Sequence, residues 1–222
     1  MLHLRASLLR PYHGGRPLLH RRALRAVSPA FPQVHPVTNC VKRIAVAWSG
    51  GKDCAWALRS LPAASHLICT FDETTNVVPI HNTAIADIDR QAIALQMPVI
   101  KVPLPPQCPN AAYIERFAAA CAQFDAIAFG DLFLEDIRQF RERSLPEREL
   151  LFPLWKRDTG QLAREMIRCG LAATVTAAQD ASLIGRLFDE AFLASLPTAT
   201  DPCGENGEFH TYVHPSCLAS FR

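Results

Sequence analysis

Lys42-Arg43-Ile44-Ala45-Val46-Ala47-Trp48-Ser49-Gly50-Gly51-Lys52-Asp53 is the stretch that decides the fold. Lys42 to Trp48 reads as a buried strand, since a short continuous apolar run bounded by a turn signal suits a strand covered on both faces. Asp53 to Leu61 reads as the helix that follows. Between them the two glycines let the backbone pass close to a ligand with no Cβ in the way, and the N–H groups at the helix start point at an anion. The guest such a turn suits is a phosphate. The spacing is not that of a Walker A loop, which needs four residues between its first glycine and a Gly-Lys-Ser/Thr ending.

Outward from this turn, strands and helices alternate. His66 to Phe71 reads as a second strand ending in Asp72-Glu73, and Asn82 to Gln96 carries apolar residues at helical spacing (Ala84, Ile85, Ile88, Ala92, Ile93, Leu95) before Pro98 stops it. Val99 to Val102 is a third strand, Ala111 to Gln123 a helix, and Ala126 to Phe129 a fourth strand ending at Gly130-Asp131. This alternation predicts an α/β fold with a parallel sheet covered by helices, and ligands beyond the strand C-terminal ends. Gly50, Asp72 and Asp131 then share one edge. Further on, Glu135 to Glu149 predicts a charged helix that Leu150 to Trp155 interrupts. Asp158 predicts an N-cap for a helix running through Cys169, with Gly170 as C-cap. Leu171 to Ala177 predicts a strand, and Ala181 to Leu187 and Asp189 to Leu196 predict helices before Pro197. The expected organisation is a basic arm over 1–40, a nucleotide-binding domain over 41–133 and a smaller α+β lobe over 134–222.

The chain has 222 residues, 49% of them apolar, so it can bury a good core, and no apolar run approaches the length a membrane helix needs. Charge is unevenly spread. Residues 1–43 carry eight Lys/Arg and no acid, which leaves 15 basic against 21 acidic residues in the body, a charge of −6. An acidic body argues against nucleic acid as the main partner. The arm is open to three readings: a mitochondrial-type transit peptide, a disordered basic arm, or an over-long start. Eight cysteines (Cys40, Cys54, Cys69, Cys108, Cys121, Cys169, Cys203, Cys217) form no Cys-x-x-Cys pair and no zinc spacing, which fits a reduced, cytoplasmic setting. A mitochondrial one follows if the arm is a transit peptide.

A second dense segment is Asp201-Pro202-Cys203-Gly204-Glu205-Asn206-Gly207-Glu208-Phe209-His210-Thr211. Gly204 and Gly207 allow tight turns able to direct Glu205 and Glu208 to one site, where carboxylates hold a metal, position an amine or act as a general base.

The turn at Ser49 to Asp53 resembles the Ser-Gly-Gly-x-Asp-Ser signature of the PP-loop ATP pyrophosphatases, with a Rossmann-like fold and cleavage of ATP between its α and β phosphates. The resemblance implies that Gly50, Gly51 and Lys52 hold the departing pyrophosphate and that Ser49 and Asp53 contact phosphate or its Mg²⁺. Cys54 stands where the family usually has Ser. Taken with Gly130-Asp131, Arg138 and Arg141, Pro153-Leu154-Trp155 and the glycine-flanked carboxylates, residues 42 to about 214 resemble the diphthine–ammonia ligase family. That family carries Pro-Leu-Trp and Gly-Glu-x-Gly-Glu-Tyr-Glu-Thr motifs after its PP-loop. The family implies adenylation of a substrate carboxylate, release of pyrophosphate, and displacement of AMP by ammonia, with ATP and Mg²⁺ as cofactors and an acceptor that can be protein-borne. It also implies Lys52, Glu205, Glu208 and His210 as catalytic residues. Ser49, Gly50, Gly51, Lys52, Asp53, Cys54 and Asp131 would bind the nucleotide, with Asp53 and Asp131 as metal ligands, Asp131 suiting either magnesium or ribose. From their own residue type and spacing Arg138 and Arg141 read either as a clamp for an anionic substrate or as a solvated helix face. Phe209-His210 replaces the family's Tyr-Glu, as in what looks like its bacterial branch, and relatives continue with more strand where this chain ends at Arg222. Two other readings stand: tRNA sulfur transfer with Cys54 or Cys203 as carrier, and nucleotide binding without turnover.

Overall fold

A computed structural model describes residues 42–221; the expectations for the N-terminal arm lie outside the described residues. β1 (Ile44–Ala47), β2 (Ala64–Asp72), β5 (Val99–Leu104), β6 (Ala126–Ala128) and β7 (Glu149–Leu151) are parallel, in the spatial order β5-β2-β1-β6-β7. β3 (Val77–Val78) and β4 (Thr83–Ala84) extend the sheet as a short antiparallel excursion from Asp72, which pairs with Val77.

The strands alternate between two cores, as their period of two requires. Ile44 and Val46 of β1, Leu67 and Cys69 of β2, and Ala126 and Ala128 of β6 face a core shared with α1 (Lys52–Arg59), α2 (Ile85–Leu95) and α5 (Thr159–Arg168). Ala45, Ile68 and Ile127 face the other, built with Phe117 and Cys121 of α3 (Asn110–Cys121) and Leu145, which follows α4 (Glu135–Ser144). Both faces being covered, the strands read as unbroken apolar runs. The fold is mixed α/β, a mostly parallel Rossmann-like sheet flanked by helices with a small extra lobe, as the sequence predicts.

Asp158 accepts from the Gln161 N–H at 2.7 Å, and Gly170, at φ 82°, ends α5 with Gly170 N bonded to Ile167 O and Leu171 N to Met166 O, both as predicted. Gln96 closes α2 the same way without being glycine, at φ 52°.

Two expected elements differ. The charged helix ends at Ser144, and Glu149–Leu151 is strand β7 paired with β6, because Pro146 bars helix at the residue before it. The parallel sheet therefore runs past the boundary expected at 133/134. Ala181 to Leu187 is not a helix: a single turn, Ala181–Leu183, gives way at Gly185 (φ 84°) to extended chain in which Val175 N bonds Arg186 O and Phe188 N bonds Ala173 O. That chain flanks β8 (Ala173–Ala178), which pairs antiparallel with β9 (Phe209–Val213), and the lobe is completed by α6 (Glu190–Ser195) and α7 (Pro215–Leu218). Among the described residues no helix is long and apolar enough to cross a membrane.

Candidate functional site

From β1 the chain winds outward through β2 to β5, then returns to lay β6 and β7 on the other side, so the strand order reverses between β1 and β6. A crevice opens at such a reversal beyond the strand C-termini. A cavity of about 250 Å³ lies there, lined by Trp48 and Ser49 after β1 and by Phe129, Gly130 and Asp131 after β6. Leu134, at the N-cap of α4, and Ile137 and Arg141 on one face of that helix form a wall.

The glycine turn is held from the far end of the chain. Gly50 adopts φ 84°, and its carbonyl accepts from Gln91 Nε2 at 3.0 Å and from the Val213 N–H at 2.9 Å. A Cβ at Gly50 would meet Ile88 Cδ1 at 2.9 Å and Gln91 Oε1 at 3.0 Å. The Lys52 N–H donates to Thr211 Oγ1 at 3.1 Å. Gln91 is fully buried and fully used, donating also to Val213 O and accepting from Trp48 Nε1 at 2.8 Å. Gly130 is needed for a different reason, since a Cβ there would lie 2.7 Å from Asp53 C and 2.8 Å from Cys54 N. The end of β6 thus rests directly on the first turn of α1.

Three carboxylates converge on the cavity. Asp53 accepts from Lys52 Nζ with Oδ2 at 2.9 Å, while its Oδ1 is buried with no partner. Asp131 pairs with Arg141 Nε at 3.4 Å, and burial pushes its carboxyl above the usual range, aided by the charge of Asp53. Glu205 accepts from the Leu132 N–H at 2.8 Å; burial pushes it up to about 7, with Asp53 and Asp131 adding to the effect. A buried carboxylate oxygen with no donor, among neighbours held back from ionising, fits a divalent cation. No three metal-binding side chains are grouped closely enough for a protein-only cage among the described residues. Mg²⁺ bound alongside a triphosphate uses one or two carboxylates with phosphate and water, so none is required.

Other expected residues separate. Lys52 is 2% exposed and does not line the cavity: its ammonium turns away, bonding Cys203 O and Asp53 and sitting 5.3 Å from the Phe209 ring centroid and 5.7 Å from that of Phe188. Burial opposes its charge, and the Asp53 carboxylate overcomes this to hold its pKa above the ordinary value. Gly50 and Gly51 shape the turn without lining the cavity. Glu205 and Glu208 do not share a site. Glu208 folds back on its own loop, accepting from the Asp201 N–H and Asn206 Nδ2, because the left-handed Gly207 reverses the chain between them.

His210 does line the cavity, its ring centroid 4.7 Å from that of His81. Burial and the Lys52 charge hold His210 below the ordinary histidine range. Of the two arginines, Arg141 reaches the cavity, donating also to Tyr113 at 2.9 Å, whereas Arg138 stacks on Phe152 and Trp155 and bonds Glu142. Asp72 leaves the expected edge array: it caps its own turn, accepting from the Thr74 and Thr75 N–H groups. Cys54 lines the cavity but donates to Gly51 O at 3.0 Å, and Cys203 to Thr159 O at 3.4 Å; burial pushes both thiols up.

Gln91, His81 and Tyr113 escaped the sequence reading. Gln91 had a signal: a polar residue on the apolar stripe Ile88, Ala92, Leu95 of a helix. His81 and Tyr113 had none. No family model matches this chain, and no curated protein gives a significant match.

Proposed function

We propose that this protein is an ATP-dependent, AMP-forming enzyme of the carboxylate–ammonia ligase type. The observation that carries the reading is the convergence of Ser49 and Asp53 of the glycine turn with Asp131 and Glu205 on one cavity at the strand-order reversal. Asp53 and Asp131 are the residues that would hold Mg²⁺, with Ser49 toward the phosphates. The metal, when bound, supplies positive charge against the triphosphate. In the reaction a carboxylate oxygen of the acceptor bonds the α-phosphorus as its bond to pyrophosphate breaks. Ammonia then adds at the acyl carbon, loses a proton, and AMP leaves. Glu205 is suited to take that proton, since a base that titrates near 7 is well matched to neutral conditions. Leu134, Ile137 and Phe129 give the cavity an apolar side.

Sulfur transfer draws no support, since the Cys54 and Cys203 thiols are buried, hydrogen-bonded and pushed toward the neutral form. Binding without turnover is separated by product analysis. Incubation with ATP, Mg²⁺, ammonium and a panel of carboxylates should release AMP and pyrophosphate, and Asp53→Asn should abolish release. ADP and orthophosphate as products would refute α,β cleavage; ATP binding with no product from any carboxylate would favour a nucleotide sensor.

A further inference from the structure

His81 is the one residue of the β3–β4 excursion that lines the cavity, and its placement is expensive. It is flanked by Ile80 at φ 66° and Asn82 at φ 51°. A β-branched residue in the left-handed region is a backbone outlier, costing on the order of 1–3 kcal/mol. Ile80 gains nothing by packing there, being 74% exposed. What is secured instead is His81, whose carbonyl accepts from Thr176 Oγ1 at 2.7 Å, tying the excursion to β8. Its Nδ1 is buried and without a partner.

The position of that nitrogen is informative. The space above Gly51, where a Cβ would stand, is 3.6 Å from His81 Nδ1, 3.6 Å from Ser49 Oγ and 3.1 Å from Thr211 O. His81 and Ser49, from separate elements, thus pack against the glycine turn from the cavity that both line, with the Thr211 carbonyl oxygen closing the space above Gly51 itself. Gly51 is also the N-cap of α1 and receives no side-chain cap. In that cavity an imidazole nitrogen with no partner, a hydroxyl and a helix N-terminus with no side-chain cap together suit an oxyanion.

We propose that His81 is a phosphate-binding residue, donating from Nδ1 to the β,γ (pyrophosphate) end of a nucleotide held in the cavity that His81 shares with Ser49 and Asp53. The inference deepens the nucleotide reading and rests on it, and it gives the β3–β4 excursion a purpose the parallel sheet does not need. His81 takes the role the sequence assigns to Lys52, whose ammonium is turned into the protein. Burial, with His210 and Lys52 nearby, holds His81 down at about 3, so it is a neutral donor in the free protein.

Calorimetric titration of the full chain with Mg²⁺–ATP, inorganic pyrophosphate and AMP tests this. His81→Ala should weaken ATP and pyrophosphate at least tenfold and leave AMP affinity within twofold. His81→Asn, whose amide nitrogen can occupy the Nδ1 position, should restore most of the loss, and His81→Gln, which places its amide near Nε2, should not. Unchanged ATP affinity in His81→Ala, or equal losses for AMP and ATP, would overturn the inference and leave the nucleotide reading standing. Failure of the wild-type protein to bind ATP would overturn that reading and the inference with it. If His81→Ala does not fold, the Asn and Gln variants decide, and equal affinities in those two count against the Nδ1 donor.

Discussion

Glu205 is a carboxylate whose charge its surroundings resist. Its ordinary value is 4.5, and in the fold it titrates at about 7. Between those values Glu205 binds more proton in the folded state than in the unfolded chain, so its contribution to stability is fully present below about 4.5 and is lost as pH rises through 7. Asp131, also raised, adds to the slope in the same direction. Glu205→Gln keeps the acceptor for the Leu132 N–H but removes the titration. In metal-free buffer the variant should lose much of the slope between pH 5 and 7 and be more stable than wild type at pH 8 by about 1–2 kcal/mol after solvent screening, measured by urea unfolding. A slope unchanged from wild type would show that Glu205 does not titrate in that window. At this scale the sequence was partly legible. Ser49 and Asp53 were readable because a strand, a glycine turn and a helix are local. The direction of Lys52 was not, because it depends on Cys203, Phe188 and Phe209, which fold onto α1 from far along the chain.

Among the elements, the junction of β6 with α1 leaves least room. Gly130 lies so close to the helix that an added Cβ would sit 2.7–2.9 Å from three backbone atoms of Asp53 and Cys54. Backbone does not yield as a flexible side chain would, so Gly130→Ala should push β6 and α1 apart. The expected cost is about 1–3 kcal/mol in chemical denaturation, with Asp131 displaced from Asp53 and Mg²⁺-dependent nucleotide affinity reduced. Normal stability and affinity would show that the junction can relax. The parallel strands and the caps of α5 were readable from apolar runs, Asp158 and Gly170. β7 was not, because three residues after a charged helix carry no period, and only pairing with β6 makes them a strand. The extended chain at 185–188 was hidden likewise, being defined by its bonds to β8.

For the molecule as a whole, Lys52 joins the parallel sheet to the small lobe. Lys52→Met would keep the apolar stem but leave Cys203 O and Asp53 Oδ2 without their donor. Stability should fall by about 2–4 kcal/mol in a single cooperative transition, since the bridge is internal to one unit. Two separated transitions would show that the lobe unfolds on its own. The order in which the chain is made gives the same linkage a further meaning. Ser49 to Asp53 leave the ribosome early, but Thr211 and Val213, which hold Lys52 N and Gly50 O, emerge some 160 residues later. A nascent chain therefore displays the glycine turn long before anything fixes it in a binding shape. A ligand that needs the braced turn can stabilise only a chain translated through β9, so nucleotide at cellular concentration would protect finished molecules and leave interrupted ones to proteolysis.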